Sequence, residues 1–147
     1  MRKTVIGIGN LLRADDGVGV HVVDRLRRER PDIESVDLST ANLEILDYIR
    51  NRDRVVIVDA MRSGAEPGTV RRMGLEELRG AGFRDSHGLD LGGLIRLGWV
   101  LYPDEMPGRL VIIGVEAGDV DSFTCELTEK VERAVPGVIA AVVEELG

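Results

Sequence analysis

The sequence predicts an α/β protein, a three-layer α/β/α sandwich around a mostly parallel central sheet. Three observations lead there. Apolar runs of strand length alternate with amphipathic runs of helix length along all 147 residues. Arg54-Val55-Val56-Ile57-Val58-Asp59 sets four β-branched residues in a row, the mark of a strand buried on both faces in the middle of a parallel sheet. The first apolar run ends in Gly7-Ile8-Gly9-Asn10-Leu11-Leu12-Arg13-Ala14-Asp15-Asp16-Gly17-Val18-Gly19, a glycine-rich passage from strand to helix with two adjacent carboxylates. In open α/β folds such junctions lie at the carboxyl edge of the sheet, where ligands bind.

Thr4 to Ile8 forms the first strand. Val18 to Arg30 forms a helix with Val18, Val22, Val23 and Leu26 on one face. It stops before Pro31, because the residue preceding a proline is pushed out of the helical region. Ile33 to Leu38 reads as the second strand, and Asn42 to Arg50 as a helix with Leu43, Leu46 and Ile49 at helical spacing. The central strand is followed by a turn-rich loop, Ser63 to Gly68, then by a short edge strand, Thr69 to Met73, and a connection from Gly80 to Ser86. A helix opens near Ser86 or His87 and carries Leu91, Leu94, Ile95 and Gly98. Pro103 and Pro107 mark a loop before another buried strand, Leu110 to Val115. The last helix carries Leu127, Val131, Ala134, Val138 and Val142 along one side, and Pro136 predicts a kink or break within it. With no internal repeat and no linker, residues 1–147 read as a single domain.

A net charge of -7 argues against a nucleic-acid binder, which needs a basic footprint. Cys125 is the only cysteine, so no intrachain disulfide forms. No signal-peptide pattern opens the chain, and no window approaches the roughly 18 apolar residues of a membrane span. A cytoplasmic protein with no membrane or nucleic-acid partner is expected, with a monomer favoured.

The polar residues fall in a pattern against these elements. Asp15 and Asp16 follow the first strand, Asp59 ends the strongest strand, and His87 begins a helix after a loop. In a parallel sheet, strand ends and the helix starts that follow them share one edge, so these segments can converge. Two carboxylates and an imidazole suit a first-row divalent ion, and three protein ligands leave positions open for water or a substrate carbonyl. Each residue also has a plainer reading. Asp15 is well placed to cap the first helix, and Asp16 would then sit in its first turn, where the helix dipole favours a carboxylate. Asp59 can cap the next turn, and His87 can bond to backbone at a helix start. His21 lies off the apolar stripe of its helix in a solvated or packing role. Cys125 lacks a companion for nucleophilic catalysis, and Ser39, Ser63 and Ser86 lack a nucleophile-elbow context. A dinucleotide fingerprint needs a third glycine where Leu12 stands, and the two acids that follow would repel a pyrophosphate.

The segment Gly7 to Gly19 resembles the N-terminal motif of the nickel-iron hydrogenase maturation endopeptidases, a peptidase family M52-like group. Val55-Val56-Ile57-Val58-Asp59-Ala60 resembles their second motif, and Ser86-His87-Gly88-Leu89-Asp90-Leu91 with Leu94 their third. Leu110 to Glu116 resembles the family's late strand and Leu127 to Leu146 its closing helix, so the likeness covers nearly the whole chain in order. The resemblance implies an endopeptidase, a hydrolase of aspartic or metal-dependent type. The partner it implies is the precursor of a nickel-iron hydrogenase large subunit, trimmed at its C-terminus once nickel is in place. It further implies that Asp16, Asp59 and His87 are the catalytic and metal-binding residues, with nickel in the substrate or at the protease site and no organic cofactor. The metal would polarise the scissile carbonyl or activate a bound water; alternatively one carboxylate would act as general base. One departure bears on substrate preference. Where the family often has a glycine-threonine pair after the second strand, this chain has Leu38-Ser39-Thr40-Ala41-Asn42. The competing readings are a protease of the same fold with another substrate, and a non-catalytic chaperone that senses metal loading.

Overall fold

The computed structural model describes residues 1–74, 77 and 91–147. Among these, five strands form one sheet: β1 (Lys3–Ile8), β2 (Glu34–Leu38), β3 (Arg54–Met61), β4 (Val70–Met73) and β5 (Arg109–Glu116). Their spatial order is β2-β1-β3-β5-β4. The first four in that order run parallel; β4 closes one edge antiparallel to β5. The alternation of apolar runs thus produces the expected mostly parallel sheet, with Thr69 to Met73 at its edge.

β3 holds the centre because Val55, Val56, Ile57 and Val58 are all buried, alternately on the two faces. Each such side chain taken fully out of water contributes about 1.5–3 kcal/mol. Val56 and Val58 join Val5, Val111, Ile113 and Val115 beneath α1 (Val18–Glu29) and α4 (Glu129–Leu146). Val55 and Ile57 join Ile6, Ile8 and Ile112 beneath α2 (Ile45–Ile49) and α3 (Leu91–Leu101). Helices on both faces make the α/β/α sandwich.

The first helix meets the sheet backbone to backbone. A Cβ on Gly19 would lie 2.5 Å from the carbonyl oxygen of Val58 and 2.8 Å from that of Ile8. A Cβ on Gly7 would lie 2.2 Å from the Gly19 carbonyl oxygen. No other residue fits this contact without lifting α1 away from β1 and β3.

Three expectations are corrected. β3 does not end at Asp59 but continues through Ala60 to Met61, still paired with β5. The helix expected from Asn42 is confined to Ile45–Ile49, since Asn42 Oδ1 accepts the Glu44 N–H in a turn that precedes it. Of the kink or break expected at Pro136, the break does not occur: α4 runs through it as one helix. That residue faces solvent, so water can serve the Glu132 carbonyl that a proline cannot reach. The buried stripe shifts accordingly to Val131, Val135, Val138, Val142 and Leu146. The Gly80–Ser86 connection and the helix start at Ser86 or His87 lie outside the described residues.

Candidate active site at the carboxyl edge of the sheet

From β1 the chain moves outward to β2, then crosses back to β3 on the other side of β1. The carboxyl ends of β1 and β3 therefore flank the point where the winding reverses, the usual ligand crevice of an open α/β sheet. The loop leaving β1 carries Asp15 and Asp16, and β3 carries Asp59.

Asp59 alternates with Val58 and Ala60, which face α1 and α4, so it shares the face of Ile57 and Met61. It is 1% exposed and lies opposite Gly114, which leaves room across the strand pair. A carboxylate at that depth, among mostly apolar neighbours, is costly to keep and argues for a role beyond packing.

Asp16 lies in a 3-10 turn, Ala14–Gly17, that packs against β3. It is fully buried, and its Oδ2 accepts the Asn10 N–H at 2.8 Å. Asn10 Oδ1 accepts the Leu12 N–H at 2.9 Å, so the loop is braced from within. Gly9 makes the tight entry possible: its φ is +144°, and a Cβ there would fall 1.9 Å from the Asp16 carbonyl oxygen. Asp16 is therefore in this 3-10 turn rather than in the first turn of α1.

Asp15 does not cap α1. The cap position is Gly17, with no side-chain bond. The Asp15 carboxylate instead turns to the loop after β5. Its Oδ2 accepts the N–H groups of Gly118 at 2.8 Å and Asp119 at 3.0 Å and the Thr128 hydroxyl at 2.7 Å, while Oδ1 accepts the Thr128 N–H at 2.8 Å. Thr128 is the residue at which α4 begins. Asp15 thus clamps the 3-10 turn to the start of α4. Asp119 braces the clamped loop in turn. Its carboxyl, held below the ordinary range first by the Ser122 hydroxyl and then by the Ser122 and Asp121 N–H groups, caps the following turn.

One buried acid escaped the sequence reading. Glu116, 2% exposed at the end of β5, lies opposite Met61. Both its oxygens accept the Ser63 N–H at 3.1 Å, and Oε1 also accepts the Ser63 hydroxyl at 2.5 Å. The signal was available: an acid closing a buried apolar strand is the same pattern that singles out Asp59.

His87 lies outside the described residues. Leu91, the first described residue after it, is fully buried in the cluster on the face that Asp59 shares. Among the described residues, no three His, Cys, Asp or Glu side chains are grouped closely enough to hold a metal ion. The chemistry of the donor set, two carboxylates on firmly packed backbone, fits a first-row divalent ion once further donors join them. His21, half-buried, is bonded through Nε2 to the Cys125 carbonyl at 2.9 Å, a packing role; Cys125 is exposed.

The family model for hydrogenase maturation protease matches residues 20–145. The chain belongs to the hydrogenase maturation protease family. Among its curated relatives, the hydrogenase 2 maturation protease of Escherichia coli (strain K12) is 31% identical over 151 residues, covering 98% of this chain and 92% of that protein. The hydrogenase expression/formation protein HupD of Thiocapsa roseopersicina is 30% identical over 148 residues, 97% of this chain; the chain spans only 66% of that relative's length. Among solved structures, the hydrogenase maturating endopeptidase HybD from E. coli superposes with a TM-score of 0.82 at 30% identity, over 99% of this chain and 92% of that one. The nickel-iron hydrogenase maturation protease HybD from Thermococcus kodakarensis, at 22% identity and a TM-score of 0.81 over the whole of both chains, shares the fold. The chain therefore has the α/β/α architecture of its family. No helix among its described residues is long and apolar enough to cross a membrane.

Proposed function

We propose that this protein is an endopeptidase that removes the C-terminal extension of a nickel-iron hydrogenase large subunit after nickel insertion. The observation that carries this reading is the pair of buried carboxylates, Asp16 and Asp59, beside the winding reversal of a chain of the maturation protease family.

In this reading Asp16, Asp59 and His87 contact the nickel presented by the precursor, or a metal ion held at the same place. Such an ion supplies Lewis acidity toward the scissile carbonyl or a more acidic bound water. The chain's own residues supply placement. The turn braced by Asn10 and Gly9 fixes Asp16 and the centre of the sheet fixes Asp59, so neither carboxylate has to reorganise as substrate arrives. A carboxylate acting as general base, the aspartic-type alternative, draws on the same placement. The Leu38–Asn42 loop starts beside this turn, since the Gly9 N–H donates to the Leu38 carbonyl at 2.9 Å. Its departure from the family's usual pair therefore bears on which precursor is accepted.

The test is to present purified protein with nickel-loaded and nickel-free large-subunit precursor and follow the precursor's mass. Shortening of the loaded form alone is expected. Equal cleavage of both removes nickel from the reading, and cleavage that survives His87→Ala and Asp16→Asn removes these residues from it.

A further inference from the structure

Glu116 is buried, ionisable and unused by the mechanism above, yet it is bonded at every turn to the loop that follows Asp59. Its side chain fixes the start of that loop through the N–H and hydroxyl of Ser63. Its backbone fixes the end: the Glu116 carbonyl accepts the Gly68 N–H at 2.8 Å, and the Glu116 N–H donates to the Thr69 carbonyl at 2.8 Å. Between these points the loop is self-braced, with the Thr69 N–H and hydroxyl both donating to the Glu66 carbonyl at 3.1 and 2.6 Å. It also rests on α4: Lys130 Nζ donates to Glu66 at 2.7 Å, and a Cβ on Gly68 would strike the Lys130 carbonyl oxygen at 2.7 Å.

Two residues on, Gly118 lies against Pro67 of the same loop and against Asp15, where a Cβ would be 3.3 Å from each. The strand exit Glu116-Ala117-Gly118 thus holds both sides of the crevice. Glu116 secures the loop after Asp59, and the Gly118 N–H secures the acid beside Asp16. An exposed loop of residues 62–66 with no apolar anchor of its own would otherwise move. A buried carboxylate that receives an N–H and a hydroxyl from one serine is a strong, directional substitute for that anchor.

We infer that Glu116 is a positioning residue for precursor cleavage: through Ser63 it holds the Arg62–Gly68 loop as a fixed wall, beside Asp59, against which the precursor's polypeptide is laid. The inference rests on the proposed function, since it assigns the wall to the polypeptide that function cleaves. It separates binding from chemistry, because Glu116 steers the wall while Asp59 stays within the paired part of β3.

The experiment is steady-state cleavage of nickel-loaded precursor by the wild type, Glu116→Gln, Ser63→Ala and Ser63→Thr. Gln keeps the size of Glu but turns an amide N–H against the Ser63 N–H; Ala removes only a hydroxyl from an exposed residue; Thr retains it. A rise in KM of about tenfold in Glu116→Gln and Ser63→Ala, with kcat within about twofold and Ser63→Thr near wild type, is the expected result. Unchanged KM in Ser63→Ala overturns the inference even if Glu116→Gln does not fold. Loss of kcat at constant KM overturns it also, as does a Ser63→Thr variant as impaired as Ser63→Ala. A wild type that leaves loaded precursor uncut fails at the proposed function itself, a result distinct from all of these.

Discussion

Asp15 and Thr128 stand 113 residues apart in the chain and are joined twice, the carboxylate accepting both the Thr128 N–H and its hydroxyl. With the N–H groups of Gly118 and Asp119, four donors converge on one fully buried carboxylate. Asp15→Ala strands three backbone N–H groups, and we expect a loss of about 3 kcal/mol or more, read from the urea midpoint. Asp16→Asn, which keeps an oxygen for the Asn10 N–H, should cost less than Asp15→Ala in the same assay while abolishing cleavage. The two neighbouring acids are thus separable, one by stability and the other by activity. Equal stability losses would contradict this division.

Gly9→Ala tests the entry to the turn. The added Cβ meets the Asp16 carbonyl oxygen in a backbone conformation that side chains seldom adopt. A loss of about 2–4 kcal/mol is expected, with cleavage falling alongside because the group displaced is the backbone of Asp16. A Gly9→Ala variant that melts with the wild type would show that the turn has slack.

Acid sensitivity should track Glu34. Its carboxyl lies below the ordinary range, chiefly because of the Arg52 guanidinium that donates to both its oxygens, with a further bond from the Thr4 hydroxyl. A carboxyl depressed in the folded state contributes stability above its unfolded value, about 4.3, and loses it as pH falls through the folded one. Glu34→Gln should therefore melt below the wild type at pH 7, and the two melting temperatures should draw together as the pH drops below about 4. A gap that stays constant with pH would assign the difference to shape rather than charge.

Pro136→Ala should raise stability, because α4 continues through a residue with no N–H to give. On an exposed helix position the gain is about 1–3 kcal/mol, visible as a higher melting temperature. No change would mean that α4 has already adjusted fully to the proline.

Much of this was legible because it depends on local pattern. Four β-branched residues in a row announced β3, and the acids that follow apolar runs pointed to the carboxyl edge of the sheet, where Asp16 and Asp59 are buried. What was not legible depends on partners far away in the chain. Nothing around Asp15 says that its donors are Gly118, Asp119 and Thr128, so the nearer helix claimed it. Glu116 hid for the same reason, its serine lying 53 residues upstream. Pro136 does not break α4, because the cost of a proline depends on which side of the helix meets water, and the expected stripe included Ala134 where the observed one includes Val135. His87, placed by resemblance and by its position at a helix start, stands outside what the structure describes.

The contact of Gly7 and Gly19 has a bearing on precision. Where helix and sheet are separated by side chains, their spacing inherits the softness of rotamers, and a group carried on the helix inherits it too. Here peptide touches peptide, so the level of the turn above β1 and β3 is set chiefly by backbone contact. The backbone that carries Asp16 is therefore placed from the sheet with little slack. Changes of core side chains elsewhere in the sandwich can adjust stability without shifting that reference height.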